Sequence, residues 1–126
     1  MTRRAAVLVL FVLASCATQQ TADSVLPSEL PGGWKRGSVT VPADNVPDLI
    51  RTLGLESSAQ TPYEAGTKVL IRAYRMRSDT AAFEVMQKWR QSDGMGLQKG
   101  SWFLTANGAD RDQTMAVLTE LRRAGQ

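Results

Sequence analysis

A ten-residue uncharged run, Ala5 through Ala14, directly follows Met1-Thr2-Arg3-Arg4, and it constrains the rest of the chain more than any other feature. Crossing a bilayer as a helix takes roughly 20 apolar residues, so this run is too short to be a standing transmembrane segment. It is apolar all round and lacks the polar face of a helix packed on the outside of a small domain. A short positive segment followed by such a run is the layout of an export signal. With residues 1–15 assigned to that signal, 111 of the 126 residues remain to fold, enough for one small domain. Arg3 and Arg4 leave with the signal, so 13 basic residues face 12 acidic ones and the net charge falls from +3 to +1. The electrostatic footprint of a nucleic-acid-binding protein is therefore missing.

The run ends in Leu13-Ala14-Ser15-Cys16. This resembles the lipobox of bacterial lipoprotein precursors, an aliphatic residue and two small residues before the obligatory cysteine. Ala14 and Ser15 are small enough for a peptidase groove. The resemblance implies that the Cys16 sulfur takes a diacylglyceryl group and that cleavage before it frees an amine for further acylation. One acyl chain binds a membrane marginally, whereas two or three hold firmly. Ala17 stands where an aspartate would resemble an inner-membrane retention signal, which favours the outer membrane over the inner. A membrane contact through the N-terminal lipid, with the domain facing the periplasm, is the expectation.

Residues 16–30 are polar and aperiodic and read as a lipidated N-terminus and flexible tether. Pro31-Gly32-Gly33 is a break, and residues 31–126 are expected to form a compact α+β domain. Gly37 to Val41 alternates as a short strand ended by Pro42. Asp44 to Leu53 places Val46, Leu49, Ile50 and Leu53 on one helical face, ending at Gly54 with Leu55 as a hydrophobic clasp. A short strand fits Thr61 to Glu64. Thr67 to Arg77 is the clearest strand, with Val69, Ile71 and Ala73 on one face and Leu70, Arg72, Tyr74 and Met76 on the other. Ser78 or Asp79 caps a helix carrying Ala82, Phe83, Met86 and Trp89/Arg90. Residues 92–96 read as a loop and Gly100 to Ala106 as a strand. Asn107-Gly108 reads as a turn, and Asp110 with Gln113 as a capping box for a last helix with a Met115, Val117, Leu118, Leu121 stripe. The order β-α-(β)-β-α-β-α predicts a ferredoxin-like split βαβ with an extra C-terminal helix. Residues 74–90 also resemble a stretch of small uncharacterised envelope proteins, a likeness that carries no mechanism.

The chain has no histidine and one cysteine. That removes histidine-based triads, most zinc and haem ligation, intrachain disulfides and cysteine-rich metal sites. No nucleophile elbow, Walker loop or metal-spaced carboxylate run occurs; Gly94-Met95-Gly96 reads as a turn. Asp79, Glu84, Asp110 and Asp112 are the carboxylates to weigh as general acid and base, but capping and first-turn positions account for most of them. Arg75 and Arg77 share one strand face, Arg72 the other, and the former two are the candidates for an anion site. Trp34, Trp89 and Trp102 are expected mainly to fill the core, with Trp34, beside the tether, the one to be exposed and available to a glycan. The expected protein is a non-catalytic, lipid-anchored envelope lipoprotein without cofactor or metal, whose domain binds a partner protein or supports envelope organisation. The alternative is a binding module for a small anionic or glycan ligand built on Arg75, Arg77 and Trp34.

Overall fold

A computed structural model describes residues 25–90 and 94–124. The signal, Cys16 and the tether as far as residue 24 lie outside the described residues. The elements run β1 (Glu29–Leu30), β2 (Trp34–Arg36), α1 (Asp48–Thr52), β3 (Leu55–Glu64), β4 (Lys68–Met76), α2 (Asp79–Lys88), β5 (Met95–Lys99), β6 (Trp102–Gly108) and α3 (Arg111–Arg123). All six strands form one curled antiparallel sheet in the order β1-β2-β3-β4-β6-β5. The domain is thus a small α+β unit. Because β6 pairs antiparallel with both neighbours, β4 and β5 run the same way with β6 between them, and α2 is the crossover.

Alternation along β4 directs its side chains to two cores. Val69, Ile71 and Ala73 join Tyr63, Trp102, Leu104, Val117 and Leu121 beneath α3. Tyr74 and Met76 join Ile50, Ala82, Val85 and Phe103 beneath α1 and α2. At five residues α1 is too short to hold itself together; the fully buried Ile50 ties it to the sheet. Burying a side chain of that size contributes about 1.5–3 kcal/mol.

The ferredoxin-like order is not observed: β6 pairs directly with β4, in the place that order gives to the first strand. Residues 37–39 run beside β3 without joining it as a strand, and Thr40 makes an isolated bridge to Gln60. The cause is Pro62. The β2–β3 ladder reaches Arg36↔Tyr63, and Gly37 N still donates to Pro62 O at 2.7 Å. Pro62 has no N–H to return, and Thr61 Oγ1 donates to Gly37 O and Ser38 O at 3.1 and 3.2 Å instead.

Other boundaries shift for equally local reasons. The tether stops short of Leu30: Val25, Leu26 and Leu30 are buried, and Tyr63 Oη donates to Pro27 O at 2.7 Å. The first helix begins at Asp48 because Pro47 disfavours helical geometry in the residue before it. The polar run 55–64 is a ten-residue strand whose buried Ser58 accepts from Ala43 N at 3.0 Å. Residues 95–99 are a strand rather than loop, and Asn107 and Gly108 extend β6 opposite Leu70 and Val69. In α3 the buried stripe is Thr114, Val117, Leu118 and Leu121, while Met115 is exposed. Ser78 Oγ accepts from Ala81 N and Asp110 Oδ1 from Gln113 N, so Ser78 and Asp110 are the caps and Asp79 lies in the first turn.

Candidate functional site

Arg72 lies on the β4 face that α1 and α2 cover, and these two helices do not close over it. A cavity of about 530 Å³ remains, lined by Asn45, Pro47 and Leu49 from α1 and its approach, by Arg72 and Tyr74 from β4, and by Lys88, Trp89 and Arg90 where α2 ends. The approach to α1 is pinned to β3. Asp44 N donates to Gln60 Oε1 at 2.9 Å, Gln60 Nε2 returns a bond to Asp44 Oδ2 at 3.2 Å, and Thr40 and Gln60 exchange backbone bonds. Gln60 and Thr105 are the strand neighbours of Arg72.

The opposite wall is held by aromatic packing. Trp89 packs edge-on against Phe103 with ring centroids 5.1 Å apart, Tyr74 stacks on Phe103 at 6.4 Å, and Trp89 Nε1 donates to Gly94 O at 2.9 Å. Gly96 is what lets β5 come this close: a Cβ there would lie 3.1 Å from the Phe103 ring and 3.3 Å from Trp89.

Three cations meet at this cavity, and among the described residues none of its lining side chains is acidic. Arg72 is half-buried, and its Nε is shut off from solvent without a hydrogen-bond partner. Lys88 and Arg90 are exposed at the rim, and neither is ion-paired among the described residues. A buried donor without a partner costs about 1–3 kcal/mol, so Arg72 is held here at the expense of the fold's stability. Tyr74 brings no compensating negative charge. Burial raises its phenol above the ordinary value, and the Arg72 cation and a side-chain hydrogen bond with Thr105 only partly oppose this.

The residues singled out in the sequence do not meet. Trp34 is buried, 4% exposed, rather than open to a glycan. It packs near the start of β4, where Lys35, Glu64 and Lys68 align. Arg75 lies seven residues further along that strand, roughly 20 Å or more at ~3.3 Å per residue. Arg75 faces away from the cavity and approaches Glu56 at 4.0 Å; Arg77 is exposed beside Gly54. Trp102 is buried as expected, and Trp89 lines the cavity. Asp79 and Glu84 line a separate cavity of about 410 Å³ with Phe83 and Gln98, and Asp110 is a cap.

Strand alternation separates Arg72 from Arg75, but no local period links that face to the end of α2. The signal was a tryptophan flanked by two cations, Lys88-Trp89-Arg90, where the helix stops. Among the described residues no cluster of potential metal ligands occurs, and no helix is long and apolar enough to cross a membrane. The arrangement offers an anion charge, donors and an apolar wall. No protein-family model, curated protein or solved structure matches the chain.

Proposed function

We propose that this chain is a lipid-anchored envelope protein whose domain is a binding module for a small anionic ligand, held in the cleft between α1 and α2. The observation that carries the binding half is Arg72, a half-buried guanidinium that lines a cavity together with two more cations and no acidic side chain among the described residues. Guanidinium groups suit carboxylate and phosphate oxygens because they donate in a planar fork. Calorimetry on the full chain in an uncharged detergent, with inorganic phosphate as the probe, is expected to show binding that weakens with salt and drops at least about tenfold in Arg72→Met. Binding that is unchanged in Arg72→Met overturns the assignment.

The anchoring half rests on Leu13-Ala14-Ser15-Cys16. Cys16→Ser is expected to abolish labelling by radioactive palmitate and to move the chain out of the acylated membrane fraction. Equal labelling of wild type and variant would remove the anchor from the proposal.

A second reading, partner-protein binding, is favoured by Phe83 and Met86, 44% and 39% exposed and three residues apart on the outer side of α2. Crosslinking in intact cells with Phe83→Glu as control tests it. Loss of a stoichiometric crosslinked partner in the variant supports that reading, and an unchanged pattern removes it.

A further inference from the structure

We infer that the ligand of the cleft is an amphipathic organophosphate, a phosphate group bonded to an apolar or planar body, rather than a bare oxyanion. This rests on the anion-binding reading above and deepens it. The cavity lining is divided: Arg72, Lys88 and Arg90 supply positive charge, while Pro47, Leu49 and the Trp89 ring supply an apolar wall. A bare phosphate would use the first group and leave the second against water.

Size argues the same way. The cavity measures about 530 Å³, inside the range of roughly 300–1,000 Å³ typical of sites for whole organic ligands. An inorganic oxyanion displaces the volume of only a few waters at ~30 Å³ each. Charge narrows the class further. Three cations with no lining carboxylate among the described residues suit a group carrying about two negative charges, which a phosphate monoester does near neutral pH. Arg72 can present two parallel donors to two phosphate oxygens, and Lys88 can neutralise a third as a point charge.

The wall is also preorganised. Trp89 is fixed by its bond to Gly94 O and by its edge contact with Phe103, and Pro47 is rigid by its own ring. An apolar body docking there loses little side-chain freedom from the protein. The same chemistry occurs on a free organophosphate and on the headgroup of an anionic lipid, and the experiment separates the two.

Binding of inorganic phosphate, phenyl phosphate and uncharged phenol to the full chain in uncharged detergent is compared by calorimetry. A second arm follows sedimentation with vesicles of phosphatidylcholine alone or mixed with phosphatidic acid, using Cys16→Ser chain so that the lipid anchor does not itself attach the protein. Phenyl phosphate is expected to bind at least about tenfold more tightly than phosphate, and phenol not measurably. Leu49→Ala is expected to erase that margin while leaving phosphate binding in place. Lys88→Gln, at an exposed position where folding is not at stake, is expected to weaken both anions alike. Phenyl phosphate and phosphate binding equally, both through Lys88 and Arg72, overturns the amphipathic inference and leaves the anion site standing. Binding of neither, with no selective sedimentation by phosphatidic acid, overturns both. Tighter association with phosphatidic acid vesicles that phenyl phosphate competes away supports the inference with a lipid as the source; phenyl phosphate binding without vesicle association supports it with a soluble source.

Discussion

Arg72 is the residue at which folding and binding pull in opposite directions. Its Nε is desolvated with nothing to accept from it, a cost of about 1–3 kcal/mol in the unliganded fold. A methionine covers similar hydrophobic surface without a charge. Arg72→Met is therefore expected to raise the unliganded melting temperature while abolishing the further rise that a bound anion gives wild type. Differential scanning calorimetry with and without phosphate reads both effects, and a lower unliganded melting temperature would count against the account. The two tyrosines offer a second test at this scale. Tyr63 and Tyr74 are the only ones in the chain, and both are buried. Burial raises both phenols, opposed in part by Arg36 for Tyr63 and by Arg72 for Tyr74. Their folded pKa values therefore exceed the unfolded value near 10. Stability from keeping them neutral is complete below pH ~10 and is lost as pH climbs above it. Tyrosinate absorbance is expected to stay absent through pH ~10 and then to emerge together with loss of the circular dichroism of the fold. A normal titration of either ring near pH 10 in folded protein would contradict this.

Helices α2 and α3 each begin on a side-chain cap, and the two caps make a matched pair of tests. Ser78 Oγ accepts from Ala81 N at 3.1 Å and Asp110 Oδ1 from Gln113 N at 3.0 Å. Alanine at either position is expected to cost about 1 kcal/mol in chemical denaturation. Only Ser78→Ala bears on the helix that carries Lys88 and Trp89, so it is expected to weaken phosphate binding slightly, and Asp110→Ala not at all. At its other end α3 is fastened to the edge strand: Lys99 Nζ donates to Leu121 O at 3.0 Å and also to Ala124 O. Burial holds the Lys99 ammonium below its ordinary pKa. These elements were readable in sequence because their signals are local. A serine or aspartate three residues before the N–H it caps is visible without any fold, and so is the period-two pattern of β4. The strands β3 and β5 were not readable in that way. The polar residues of β3 are satisfied by groups up to 24 residues away, such as Gly37 O and Asp44. The strand character of Gly96 depends on two rings pressing on it from β6 and the end of α2.

For the whole molecule, the sequence by itself raised the export and acylation signals as expectations, and it determined the α+β class, the extent of β4 to within a residue and the Asp110 cap, with Ser78 and Asp79 left as alternatives for the other cap. Each rests on composition or on neighbours within a few residues. It also excluded histidine-based catalysis and intrachain disulfides, because the chain has no histidine and one cysteine. Tertiary structure alone decided the strand order, which sets β6 directly against β4 and leaves residues 37–40 along the β2 side of β3. It alone buried Trp34 against the N-terminal segment, and it alone chose among the arginines. Arg75 sits on the β4 face turned toward α3 and Arg77 lies past the strand beside Gly54, whereas Arg72 sits where two helices on the other face leave a gap. Alternation separates the faces of a strand, but which face keeps an open cleft depends on where distant helices end.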